Sequence, residues 1–274
     1  MRKNPPVILS IAGSDNSCGA GAQADLKTIS ALGGYAQTAI TCVVAEIPGK
    51  VSEIQAMRPP LVAEQIRLSF EGFPIAAIKT GMLHSKEIIR AVTSELLSIK
   101  KIPPLVVDPV MVASSGDALL KRAAISAYQD LLFPIATIVT PNLDELRILS
   151  GMPCRDWHEI RDAGTKLVER YGCAFLLKGG HLRDKIATDV LATKHGFESF
   201  SAPFQSKIAT HGTGCAFSAA IATGLAQGLT LSKAVGQAKG FIASAIKHSH
   251  IWPNASALNH FANEAPRRTD HGGD

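Results

Sequence analysis

Short apolar runs alternate along this chain with stretches in which apolar residues recur every three or four positions. The runs Val7–Ala12, Thr38–Ala45, Ile75–Lys79, Leu105–Asp108, Ile138–Thr140 and Ala174–Lys178 lack strict apolar/polar alternation. That is the pattern of parallel strands buried on both faces. Between them, the helical period marks Ala20–Leu32, Pro60–Phe70, Lys86–Lys100, Ala118–Leu132, Asp144–Ser150, Trp157–Tyr171, Cys215–Gln227 and Leu231–Ser249. Gly33 and Gly228 read as C-terminal helix stops. Alternation of this kind predicts a doubly wound α/β sheet with right-handed crossovers. Val190–Ser206 carries no chemical motif and reads as a β hairpin. No internal repeat or linker composition breaks the pattern. One domain over residues 1–262 is expected, followed by a polar, frayed tail over 263–274.

Composition narrows the class. The chain has 274 residues, 46% of them apolar and 5% aromatic, enough for a sizeable aliphatic core. Its net charge of +5 is scattered, and no basic stripe interleaves with aromatics. Nucleic acid is therefore not the expected partner, whereas a phosphorylated ligand suits a mildly positive surface. The five cysteines are widely spaced and form no C-x-x-C, so neither a disulfide framework nor a zinc site is implied, and a reducing cytoplasm is expected. The apolar run Val7–Ala12 is too short for a signal peptide, and no stretch is long enough to span a membrane.

The predicted strands end in residues capable of chemistry. They run into Gly13-Ser14-Asp15, Glu46, Lys79-Thr80-Gly81-Met82, Asp108, Thr140-Pro141-Asn142 and Lys178-Gly179-Gly180-His181. Open parallel sheets bind ligands beyond the carboxyl ends of their strands. One crevice lined by Asp, Glu, Asn and Lys is expected. The segment His211-Gly212-Thr213-Gly214-Cys215 feeds a small, apolar helix. A glycine-rich turn at a helix N-terminus offers free N–H groups and the positive end of the helix dipole to an anion. The same field lowers a thiol pKa, so Cys215 reads as a thiolate base or nucleophile; the alternative is a buried cysteine acting as a small hydrophobe.

Other constellations leave two readings open. Gly19-Ala20-Gly21-Ala22-Gln23-Ala24 matches G-x-G-x-x-A, with Glu46 placed for a ribose. A polar loop intervenes where a dinucleotide fingerprint wants a direct turn. Asn142 and Glu145 are spaced either as a helix-capping pair or as a site where Glu145 helps hold hydrated Mg²⁺. Lys178 either neutralises phosphate or ends a strand in solvent, and Asp108 either caps a loop or faces a cation. His181 and His211 have no partner carboxylate close in sequence and read as structural. G-x-S-x-G, H-E-x-x-H and the P-loop pattern are absent.

Taken together, Ala12–Asp15, Gly19–Thr28, Lys79–Leu83, Val107–Met111, Thr140–Asn142, Leu177–His181 and Thr210–Cys215 resemble, in the same order, the motifs of hydroxymethylpyrimidine/phosphomethylpyrimidine kinases, the thiamin-pathway branch of the ribokinase superfamily. The resemblance spans roughly residues 7 to 250. It implies a ribokinase-like three-layer α/β/α sandwich with a mostly parallel central sheet. It also implies a cytoplasmic, homodimeric, ATP- and Mg²⁺-dependent kinase acting on a small heteroaromatic alcohol. By position, Cys215 would be the catalytic residue of an anion hole built by Gly212, Thr213 and Gly214. Lys178 would stabilise the transferring phosphoryl group. Asn142 and Glu145 would organise Mg²⁺ and phosphate, with Asp108 nearby. Gly13, Asp25 and Met82 match substrate-pocket positions.

Two residues depart from the family pattern. Glu46 stands in Ala45-Glu46-Ile47-Pro48 where the family has Gln. An ionised Glu only accepts hydrogen bonds, whereas Gln also donates. Glu46 can receive bonds from an aminopyrimidine, or can mark a different heterocycle. Cys18 replaces a Gly before Gly19. A pyridoxal-type kinase, a non-catalytic ligand-binding relative and, more distantly, a dinucleotide-dependent oxidoreductase are the competing readings.

Overall fold

A computed structural model of the chain describes residues 4–47, 49–111, 122–179, 186–205 and 211–262. Gly180, His181, Thr210, Pro48 and the tail 263–274 lie outside the described residues, as does the start of the helix predicted from residue 118. The chain runs β1 (Val7–Asp15), α1 (Gly21–Ala31), β2 (Tyr35–Ile47), β3 (Lys50–Ala56), α2 (Pro59–Gly72), β4 (Ile75–Thr80), α3 (Lys86–Ser98) and β5 (Leu105–Val107). It continues through α4 (Arg122–Ala127), β6 (Ile138–Val139), α5 (Leu143–Ser150), α6 (Trp157–Tyr171), β7 (Ala174–Lys178), β8 (Ile186–Thr193), β9 (Gly196–Pro203), α7 (Thr213–Ala226) and α8 (Leu231–Lys247). A short antiparallel pair, β10 (His250–Trp252) and β11 (Ala255–Ala257), follows α8.

The strands form a nine-stranded sheet in the order β3-β2-β1-β4-β5-β6-β7-β8-β9. Its centre, from β2 to β7, is parallel. Antiparallel strands flank it: β3 on one edge and the β8–β9 hairpin on the other. The hairpin confirms the reading of Val190–Ser206, although it starts earlier. β3 is a departure: its residues Lys50, Ser52, Glu53 and Gln55 carry too little hydrophobicity to stand out in sequence.

Successive side chains of a strand point to opposite faces, and the core divides accordingly. Leu9, Ile11, Leu105, Val107, Phe175 and Leu177 pack against α2 to α6. Ile8, Val106, Ala174 and Leu176 pack against α1, α7 and α8. This is the expected three-layer sandwich. α7 is buried from Ala216 to Gly224, which explains its small, apolar sequence: no face of it meets solvent. No helix among the described residues is long and apolar enough to cross a membrane.

Phe133 anchors the first layer. Its ring meets Tyr171 edge-on at 5.3 Å and Phe175 at 6.1 Å. Neighbouring Tyr128 donates its hydroxyl to the Gly81 carbonyl at 3.0 Å, tying the core to the loop after β4. Phe133→Ala is expected to cost about 3–5 kcal/mol, read as a lowered urea midpoint with an unchanged m-value.

Candidate active site

A cavity of about 590 Å³ opens over the carboxyl ends of the parallel strands and the N-terminus of α7. Two glycine loops close against each other beside it. Gly212 has φ +79°, and a Cβ there would overlap the carbonyl of Gly19. A Cβ on Gly19 would in turn stand 2.6 Å from the His211 ring. The Gly19–Ala24 motif therefore serves contact between two backbone segments rather than a dinucleotide turn. Gly179 is likewise a packing residue, since a Cβ there would strike the Trp157 ring. Cys18 adopts φ +58°, a conformation that explains why glycine suits this position and that costs a non-glycine residue roughly 1–2 kcal/mol.

One end of the cavity gathers Asp108, Asn142, Glu145 and Lys178. Lys178 Nζ lies 3.3 Å from Asp108 Oδ1. Thr140 and Ser218 also donate to Asp108, each at 3.3 Å. The Asn142–Glu145 capping box is present: Asn142 Oδ1 accepts from the Glu145 N–H and Glu145 Oε2 from the Asn142 N–H, both at 2.9 Å. The capping reading is thus correct, and it also fixes both side chains at the cavity wall. Glu145 Oε1 accepts from the Met111 N–H at 3.0 Å. Burial pushes the Glu145 pKa up, Lys178 opposes this, and the Asp108 charge adds to it. Burial works against the charge on Lys178, but Asp108 and Glu145 outweigh it and raise its pKa. One lysine thus faces two carboxylates. Each carboxylate oxygen has two lone pairs, and hard oxygen donors beside an uncompensated charge fit a hydrated Mg²⁺.

Cys215 opens partly to the cavity on the first turn of α7. The expectation of a lowered pKa is corrected here: burial pushes the thiol up to about 11, and Lys79 pulls it back only in part. A helix N-terminus acts on a thiolate, but desolvation acts on it more strongly when the sulfur is enclosed by protein. Asp25 also departs from expectation. It is wholly buried and does not line the cavity. Its carboxylate accepts from Lys79 Nζ at 2.9 and 2.7 Å and from Ser10 Oγ at 2.5 Å. Lys79, three residues before Met82, lies in the cavity wall in its place, itself wholly buried.

The opposite wall holds Gly13, Met82, Glu46, Asp15 and His211. A β-bulge between Ala45 and Glu46 re-aims the strand at this point, and the Glu46 N–H donates to Asn16 Oδ1 at 2.7 Å. His211 Nε2 lies 3.3 Å from Asp15 Oδ2. Asp15 is thus the carboxylate partner that sequence proximity did not offer, 196 residues away in the chain. Ligand atoms of Asp15, Glu46 and His211 lie within 4.8 Å of one another. Asp15 is already heavily engaged by protein donors, however. Its oxygens already accept from the Ser17 N–H at 2.6 Å, Ser17 Oγ at 2.8 Å, the Ala20 N–H at 2.8 Å and His211. Burial alone would raise the Asp15 pKa, but these bonds hold it at about 2. Burial, with repulsion from Asp15, raises that of Glu46.

Fold and site together define a ribokinase-like α/β protein whose crevice combines a glycine-rich helix N-terminus, lysines and buried carboxylates. Residues 15–258 match the family model described as phosphomethylpyrimidine kinase, and the chain belongs to that family. It is 40% identical over 259 residues to a hydroxymethylpyrimidine/phosphomethylpyrimidine kinase of Rhizobium meliloti, covering 93% of this chain and 97% of that protein. It is 42% identical over 240 residues to a thiamine biosynthesis bifunctional protein of Geobacter sulfurreducens, covering 88% of this chain but only 49% of that one. The chain therefore spans about half the length of some curated relatives. Among solved structures, the pyridoxal kinase from Staphylococcus aureus in complex with ADP superposes with a TM-score of 0.88, at 33% identity and 96% coverage of both chains.

The Asp15 network makes a pH prediction. A folded pKa of about 2 against the ordinary value of 3.8 stabilises the fold at neutral pH by about 2 kcal/mol. That contribution is present above pH 4 and is lost as the pH falls towards 2. Asp15→Asn should remove it, so acid unfolding curves of the variant should lack this component between those limits.

Proposed function

We propose that the chain is an ATP-dependent kinase. It phosphorylates the hydroxymethyl group of 4-amino-5-hydroxymethyl-2-methylpyrimidine and then its monophosphate, in thiamin diphosphate biosynthesis. The observation that supports this most is the family match combined with a cavity that holds both phosphate-binding groups and an acceptor for an amine. Gly212, Thr213 and Gly214 start α7, whose first-turn N–H groups suit developing charge on the phosphoryl oxygens. Lys178 adds a positive charge, and phosphoryl transfer depends on such positioning and charge stabilisation. Asn142 and Glu145 would position the nucleotide phosphates. Asp108 and Glu145 would hold Mg²⁺, largely through water, and when bound the ion neutralises phosphate charge.

In this reading the Cys215 thiolate takes the proton of the substrate hydroxyl while that oxygen bonds to the γ-phosphorus. The bond from phosphorus to the ADP oxygen breaks, ADP leaves with the electron pair, and the thiol later returns its proton to solvent. Gly13 and Met82 would pack the heterocycle, with Glu46 accepting from its amino group. A second reading, pyridoxal phosphorylation, is favoured by the likeness to the Staphylococcus aureus enzyme. Glu46 speaks against it: an ionised carboxylate only accepts, which matches an exocyclic amine better than an aldehyde oxygen. The free cysteines are in keeping with a cytoplasmic home. The exposed apolar Val43 and Ile47 beside the β3 edge are in keeping with a homodimer.

Cys215→Ala is expected to lower kcat about 10²–10³-fold with little change in the KM for ATP; near-normal turnover would sink the role given to the thiol. Because the thiol titrates high, kcat/KM should climb by up to about tenfold per pH unit from neutral to alkaline pH. A flat profile would point to another base. ATP-dependent phosphorylation of the free pyrimidine, its monophosphate and pyridoxal should be compared with and without Glu46→Gln. Turnover of the pyrimidines is expected to exceed that of pyridoxal. Turnover of none would favour a ligand-binding relative, and a pyrimidine activity that appears only in Glu46→Gln would show a changed substrate.

A further inference from the structure

We propose that a second cavity, separate from the one over the strand ends, binds a small aromatic anion: a single flat ring that carries a phosphate or carboxylate group. Such a site is independent of the reaction assigned above.

This cavity, of about 340 Å³, lies between the turn after β1, helix α1 and the β10–β11 hairpin. It shares no described lining residue with the larger cavity. Its size falls in the range of small-molecule sites, roughly 300–1,000 Å³. Charge is the first feature of its wall that selects a ligand. Lys27, His250 and His260 line it, and no Asp or Glu stands among its described lining residues. Lys27 is held at the wall, where its Nζ donates to the Cys18 carbonyl at 2.7 Å; an ammonium has two further protons to donate. His260 is only 4% exposed, and its Nε2 has no hydrogen-bond partner among the described residues. Buried polar atoms are nearly always paired. Burial and, after it, the charge of Lys27 lower the His260 pKa to about 4; the Leu258 backbone opposes this and His250 adds to it. The imidazole is thus neutral at neutral pH, beside a cation that no described lining carboxylate balances. An anion supplies the missing charge.

Aromatic surface is the second feature. Trp252 and Phe261 line the cavity and are nevertheless 54% and 42% exposed. The Trp252 ring is tilted by 39° against His250, with centroids 5.8 Å apart. The hairpin that carries Trp252 adds no strand to the nine-stranded sheet, so these rings do not belong to the core. Rings at the rim of a cavity offer a flat ligand offset-stacked or edge-on contact. The remaining wall is the turn after β1. Ser17 lines the cavity and donates to Asp15 through its N–H and its Oγ, and Gly19 lies against the His211 ring. A bound anion is therefore separated from the Asp15–His211 pair by a single turn of chain.

Phenyl phosphate is the probe. The chain has two tryptophans, Trp157 and Trp252, so in a Trp157→Phe background the emission of Trp252 reports this cavity alone. That emission should change saturably with phenyl phosphate, and the change should persist in excess MgATP. Lys27→Met and, separately, His260→Gln should each weaken binding, Lys27→Met by about tenfold or more, the worth of one charge-assisted hydrogen bond. Thermal unfolding verifies that each variant is folded. Should a variant not fold, the comparison of ligands on the Trp157→Phe chain still decides. Benzyl alcohol, a ring without charge, and inorganic phosphate, a charge without ring, should each bind at least about tenfold more weakly than phenyl phosphate or benzoate. The tighter of these last two identifies the anionic group. No saturable response to either at millimolar concentration would overturn the proposal. So would equal binding of benzyl alcohol, or an unchanged Kd in the folded variants. A response abolished by MgATP would also overturn it, because the probe would then occupy the larger cavity.

Discussion

The contact between Gly212 and the Gly19 carbonyl is the constraint on which the site depends. No side chain fits between these two backbones, so the turn after β1 and the turn before α7 lie against each other. That contact sets where α7 begins. It brings His211 onto Asp15 and the Gly21 backbone onto the Cys215 sulfur. It also means that the N-terminus of α7 opens towards the strand ends rather than towards solvent. The glycines, at first sight suited to a ligand's approach, are needed for the protein to approach itself.

Charge is then distributed along the cavity by burial as much as by sequence. Asp108 and Glu145 stand together near Lys178, and Asp15 and Glu46 stand together near His211. In both groups the cation is too little to balance the anions, and the carboxylates differ in how their capacity is used. Asp15 accepts four hydrogen bonds from protein donors and stays ionised well into acid. Glu46 and Glu145, more weakly compensated, are pushed the other way. In the proposed function the first group would receive a cation and phosphate, the second a polar heterocycle. Between desolvation and helix field, desolvation wins at Cys215, so the sulfur rests as a thiol and its ionisation depends on the cations around it.

The strands and layers were largely legible because parallel strands need apolar side chains on both faces and the crossover helices need one apolar stripe. β7 and α6 follow the sequence pattern residue for residue. β3 was not legible: an edge strand with polar outward positions resembles a loop. Asn142 and Glu145 could be recognised as a pair because capping is a local geometry spanning one helical turn. Asp15 with His211 could not, since their relation exists only once β1 and α7 are packed side by side. Asp25 illustrates the same limit in reverse. Its place in a motif pointed to the substrate pocket, but the packing of α1 on β1 and β2 buries it, where it pairs with Lys79.

By itself, then, the sequence determined which residues end the strands, where the glycine-rich start of α7 lies and which chemical groups are available. These are local properties, governed by periodicity, capping and backbone freedom. Only the tertiary structure decided which of those groups reach the cavity, which are consumed by one another and what protonation state each holds. The physical reason is that burial and long-range pairing act through space. The energies that separate a thiolate from a thiol at Cys215, or a substrate contact from a counter-ion at Asp25, come from neighbours far away along the chain.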